Sequence, residues 1–69
     1  MDYKILPTVM GIYCIEHIDS GKKYIGSSIN INRRVYRHKY QLRKGTHDNP
    51  YLQNFYNVYR DNAFICYNI

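Results

Sequence analysis

Between Gly11 and Gly26 the sequence reads GIYCIEHIDSGKKYIG, two runs rich in isoleucine and tyrosine split by a turn. Those residue types suit a half-buried pleated surface, so Gly11 to His17 and Lys22 to Ser28 are predicted strands. In the turn, Asp19 and Ser20 bond to nearby backbone and Gly21 accepts a positive φ. A four-residue loop, Ile18 to Gly21, pairs His17 with Lys22. Tyr13 then lies opposite Gly26, Ile15 opposite Tyr24, and Glu16 opposite Lys23. A loop shorter by one residue shifts the register and sends the two tyrosines to opposite faces. The Glu16–Lys23 charge pair favours the longer loop. Residues 13, 15, 24 and 26 then share a face, with the glycine leaving open space beside two phenols.

A lone hairpin is not stable in water, so the rest of the chain must cover it. Residues 1–10 read as a lead-in, with Pro7 against a regular element. From Asn30 to Gly45 the sequence offers an N-cap, a helix and a C-terminal glycine. Ile31, Val35 and Leu42 form its apolar stripe with His38 in line, and Arg34 neighbours His38 one turn away. Asn49 and Pro50 open a second helix whose Leu52, Phe55, Tyr56 and Tyr59 are predicted to face the core. Asp61-Asn62 ends it, since asparagine tolerates the left-handed conformation. Ala63 to Ile69 is a third strand. The order β-β-α-α-β predicts an α+β fold, a small three-stranded antiparallel sheet with helices packed on it.

With 69 residues there is room for one core, and a domain of this size buries only about 60% of its unfolded surface. The net charge of +5 favours an anionic partner, nucleic acid ahead of a membrane surface. No apolar run approaches the ~20 residues of a membrane span, and no leader sequence is visible. Cys14 and Cys66 lack zinc-site spacing and are expected as buried free thiols, which points to an intracellular, cytoplasmic setting.

The paired GIY and YIG triplets resemble the signatures of the GIY-YIG endonucleases, and the resemblance covers residues 11–69. "GSSININRRVYRHKYQL" is similar to that family's first helix, and "HDNPYLQNFYNVYRDNAF" to a stretch of its intron-encoded and phage-type members. The resemblance implies a metal-dependent DNA phosphodiesterase, a domain spanning residues 11–69, with Tyr13, Tyr24, Arg34 and His38 in the catalytic positions. A guanidinium suits the charge that builds on phosphate oxygens during hydrolysis, which fits Arg34. Tyr13, with its pKa lowered from ~10 by Lys22, Lys23 and Arg34, or His38, near ~6.5, would accept a proton from the attacking water. Tyr24 would orient water or phosphate. His38 also reads as a histidine satisfied at the core edge.

Lys22, Lys23, Arg33, Arg37 and His47 are the expected DNA contacts, His47 from a loop. The expected cofactor is a divalent metal, magnesium, and no small-molecule cofactor is expected. The family's metal ligand is a glutamate on a helix after the third strand, a position the sequence does not reach. Glu16 points away from the tyrosines, and Asp2, Asp19, Asp48 and Asp61 do not match that position, so no metal ligand is assigned. The expectation is therefore a C-terminally truncated nuclease domain: a fragment, a decayed frame or a chain completed by a partner. The alternative is a catalytically inactive DNA-binding remnant that keeps the basic helix.

Overall fold

The computed structural model describes residues 2–3 and 9–69. Strands β1 (Asp2–Tyr3), β2 (Gly11–His17) and β3 (Lys23–Ser28) are followed by helices α1 (Ile31–Lys44) and α2 (Pro50–Tyr59). A single 3₁₀ turn, Asp61–Ala63, leads into β4 (Phe64–Asn68). β2, β3 and β4 form the antiparallel three-stranded sheet, with β2 in its middle. The two-residue β1 pairs in parallel with the outer edge of β4, Asp2 opposite Ile65. The lead-in reading had no strand there. The partner edge lies more than sixty residues downstream, beyond the reach of any local pattern. Pro7 and the rest of residues 4–8 lie outside the described residues.

The hairpin register is the expected one: Tyr13 faces Gly26, Ile15 faces Tyr24 and Glu16 faces Lys23. His17 N–H donates to Lys22 O at 2.8 Å, and Gly21 closes the turn at φ 72°. The two charges face each other across the hairpin but bond elsewhere. Glu16 accepts a hydrogen bond from Tyr67 Oη at 2.5 Å, while Lys23 Nζ reaches Gly21 O at 3.4 Å. Burial selects the register, because Tyr13, Ile15 and His17 all turn to the helix-covered face.

α1 begins where Asn30 Oδ1 accepts the Arg33 N–H at 3.0 Å. It ends at Gly45, φ 77°, where the Gly45 and Thr46 amides close on Leu42 O and Gln41 O. Its buried residues are Ile31, Val35, His38 and Leu42. α2 starts as expected, with Asn49 Oδ1 accepting from Tyr51 and Leu52 N–H and Pro50 in the first turn. Its end is different. Arg60, not Asn62, takes the positive φ, 66°, with ψ extended at −177° and so outside the left-handed helical conformation, and Asn62 lies in the 3₁₀ turn. Asp61 fixes that point, since its carboxylate accepts Tyr56 Oη at 2.7 Å and Arg43 at 2.8 Å. Burial would raise the Asp61 pKa, but these hydrogen bonds outweigh it and hold the carboxyl well below its ordinary range.

The core joins Tyr13, Ile15, Phe64 and Cys66 of the sheet to Ile31, Val35, Leu42, Leu52 and Tyr56 of the helices. Phe55 is only half-buried and Tyr59 is exposed, so two of the four expected core residues of α2 sit at its border. Gln53 is buried in their stead. Cys14 and Cys66 are buried free thiols, and burial pushes the Cys66 pKa up to about 12. No described helix is long and apolar enough to cross a membrane.

Candidate active site

The four side chains expected from the motif come from three elements: Tyr13 from β2, Tyr24 from β3, Arg34 and His38 from α1. The strand alternation turns Tyr13 toward α1, and the helical period turns His38 toward the sheet. They meet with Tyr13 Oη 2.6 Å from His38 Nε2. The space at Gly26 is not open, as the sequence suggested. A Cβ there would stand 2.5 Å from Tyr13 Cζ, so the missing side chain is the seat of the Tyr13 ring. Tyr24 packs its ring edge-on against His38, centroids 5.2 Å apart. Tyr24, Arg34, His38 and His47 line one cavity of about 350 Å³.

His47 reaches further into this group than a loop contact would. Its Nε2 lies 2.5 Å from His38 Nδ1, and the two rings stack. Its loop is held by Gln53, whose Oε1 accepts the His47 N–H and whose Nε2 donates to Leu42 O at the end of α1. Neither Gln53 nor the His38–His47 contact was legible beforehand. A glutamine next to a core leucine carries no local signal, and nine residues with a helix end between them separate the two histidines.

The hydrogen bonds fix where the protons sit. The Asn49 backbone N–H donates to His47 Nδ1 at 3.0 Å, so that nitrogen is an acceptor. The proton of neutral His47 is then on Nε2 and is donated to His38 Nδ1. His38 in turn carries its proton on Nε2 and donates it to Tyr13 Oη. The chain runs one way, from a backbone amide to a phenol oxygen. Both rings are held neutral. Burial, then His47 and Arg34, push His38 down to about 4, and burial lowers His47 as well. Tyr13 is raised chiefly by burial, against which the Arg34 guanidinium pulls down. A Tyr13 phenolate would therefore be met by an imidazole N–H and a guanidinium.

Lys22 and Lys23 are exposed on the hairpin end and line a separate cavity. Arg33 and Arg37 are exposed on α1. A divalent cation of the magnesium type needs a cage of oxygen ligands that includes carboxylates. Among the described residues no three His, Cys, Asp or Glu side chains cluster closely enough to hold a metal. The cavity offers two imidazoles engaged with each other and one carboxylate, Asp48. The described residues do not fit such an ion.

The GIY-YIG catalytic domain family matches residues 9–69. Two solved structures are similar to the chain. One is the catalytic domain of the intron endonuclease I-TevI, solved as a point mutant, at 35% identity and a TM-score of 0.77, covering 87% of this chain and 64% of that one. The other is the catalytic domain of the homing endonuclease I-TevI, at 34% identity and a TM-score of 0.79, covering 84% and 62%. The chain thus spans less than two thirds of either structure. No curated protein matches it.

Proposed function

The chain belongs to the GIY-YIG family, and we propose that residues 11–69 form a DNA endonuclease unit of the homing or phage type. The observation that carries this reading is that Tyr24, Arg34 and His38 line one cavity, with the buried Tyr13 hydroxyl directly behind it on His38 Nε2. In the reaction, a water oxygen forms a bond to phosphorus and the bond from phosphorus to the leaving sugar oxygen breaks. Arg34 binds the nonbridging oxygens, where charge builds up, with a fork of donors that keeps its protons. Tyr24 orients the phosphate or the water through its hydroxyl.

Tyr13 is the base in this scheme, and it takes the proton of the attacking water while in its phenolate form. His38 is a poor candidate because its Nε2 already carries a proton and its Nδ1 is engaged by His47. His38 and His47 instead hold a donor against the Tyr13 oxygen. Lys22, Lys23, Arg33 and Arg37 supply charge for the DNA backbone. Nucleases of this family generally depend on a divalent metal. Magnesium is the proposed ion, with ligands from outside the described residues.

The test is nicking of supercoiled plasmid by the folded chain with magnesium or manganese, with EDTA, and with Arg34→Ala. Nicking that falls by ~10²–10³ in the variant is expected. Nicking that survives Arg34→Ala unchanged would sink the reading. Salt-sensitive DNA binding without any nicking would leave a DNA-binding unit in its place.

A further inference from the structure

Tyr24 is a partition between two cavities. Beyond it, between the hairpin and α2, lies a second one of about 320 Å³, near the lower limit for small-ligand sites. Its lining is mostly carbon, from Leu52, Phe55, Phe64 and the Tyr24 ring. Lys22 Nζ stands 5.1 Å from the centroid of the half-buried Phe55 ring, and Lys23 adds a second charge to the rim. An unmet donor lies behind the wall, out of an occupant's reach. The Ser20 N–H donates to His17 Nδ1, so neutral His17 carries its proton on Nε2, which is buried with no partner among the described residues. Tyr24, Asn49 and Tyr51 border both cavities.

An occupant that matches this lining is largely apolar, able to stack on a ring, and joined to negative charge at the lysine rim. The shared border places it next to a phosphate bound beside Arg34 in the cleavage reading. We propose that the cavity receives one unpaired base of the DNA strand being cut, next to the scissile phosphate. The inference rests on the DNA-cleaving reading and narrows its substrate to DNA with a nucleotide out of its stack. A base inside an intact duplex cannot reach such a pocket without being extruded, and extrusion is easiest at a bulge or mismatch. Stacking on Phe55 under a lysine cation repays it.

Two short duplexes test this, one fully paired and one with a single-nucleotide bulge, the bulged base being the fluorescent analogue aminopurine. Binding is measured at low salt in EDTA. The bulged duplex is expected to bind about tenfold tighter, with a change in aminopurine emission on binding. Asn54→Trp, which places bulk on the exposed rim, and Phe55→Leu, which keeps apolar volume but removes the ring, should each abolish that advantage. Circular dichroism verifies that both variants are folded. Equal binding of the two duplexes with unchanged emission would overturn the proposal and leave the DNA reading standing. A bulge preference that survives both variants would also overturn it. Failure of both duplexes to bind would remove the DNA reading and this inference together.

Discussion

His17 and His38 lie on opposite sides of Tyr24, and both are almost wholly buried, 3% and 2% exposed. Their surroundings differ in kind. His17 sits among the rings of Phe55, Tyr59 and Phe64, tied at one nitrogen to Ser20 and at the other to nothing described. His38 uses both nitrogens, one toward Tyr13 and one toward His47. Burial alone therefore says little about what a histidine does. Its second nitrogen decides whether the ring is a packing element or part of a proton path.

The difference can be tested in order of expected size. His38→Ala, which removes the donor held against the Tyr13 oxygen, should lower plasmid cleavage by roughly 10²–10³, measured against its own folded fraction. Next is the pH dependence of the wild-type rate. With Tyr13 raised above its ordinary value and acting as the base, the rate should climb about tenfold per pH unit from pH 7 to 9. A rate flat over that range would favour His38, whose pKa is held down at about 4, as the base.

A matched pair of substitutions sharpens the contrast in stability. His38→Leu strands the Tyr13 hydroxyl and the His47 N–H, and should cost on the order of 2–4 kcal/mol in urea unfolding. His17→Leu removes a buried donor with no partner among the described residues and should stay within about 1 kcal/mol. Equal losses at the two positions would erase the distinction.

Acid sensitivity separates the pair by pH. His38 and His47 are both lowered in the folded chain, so the unfolded chain binds protons more readily. Their contribution is fully present above about pH 6.5 and is lost as pH falls toward about 4. The melting temperature should drop across that window by roughly 5–10 °C per unit, and less so in His38→Leu.

Much of this molecule could be read from local pattern. The helix caps at Asn30, Gly45, Asn49 and Pro50 follow from single-residue chemistry, and the register of β2 and β3 follows from one turn and one buried face. Tyr13, Tyr24, Arg34 and His38 were legible through the family resemblance, since strand and helix periods place each on its own face but do not say which faces meet. What escaped depends on distant partners. β1 needs the edge of β4, Arg60 takes a positive φ beside Asp61, which Tyr56 and Arg43 hold, and His47 joins His38 because Gln53 anchors its loop. Glu16 also found Tyr67, more than fifty residues away, and not the lysine across the hairpin.

The sheet order has a consequence for how the chain comes into being. β4 lies between β1 and β2, yet it leaves the ribosome after every other strand described. The hairpin and both helices can form during synthesis, but Ile15 and Tyr13 lack their Phe64 and Cys66 neighbours until β4 slides into the gap. The nascent domain therefore holds an open strand edge on β2 until that moment, the kind of edge that pairs with other chains. Slow emergence of the segment after Arg60 would lengthen the interval in which a chaperone has something to hold.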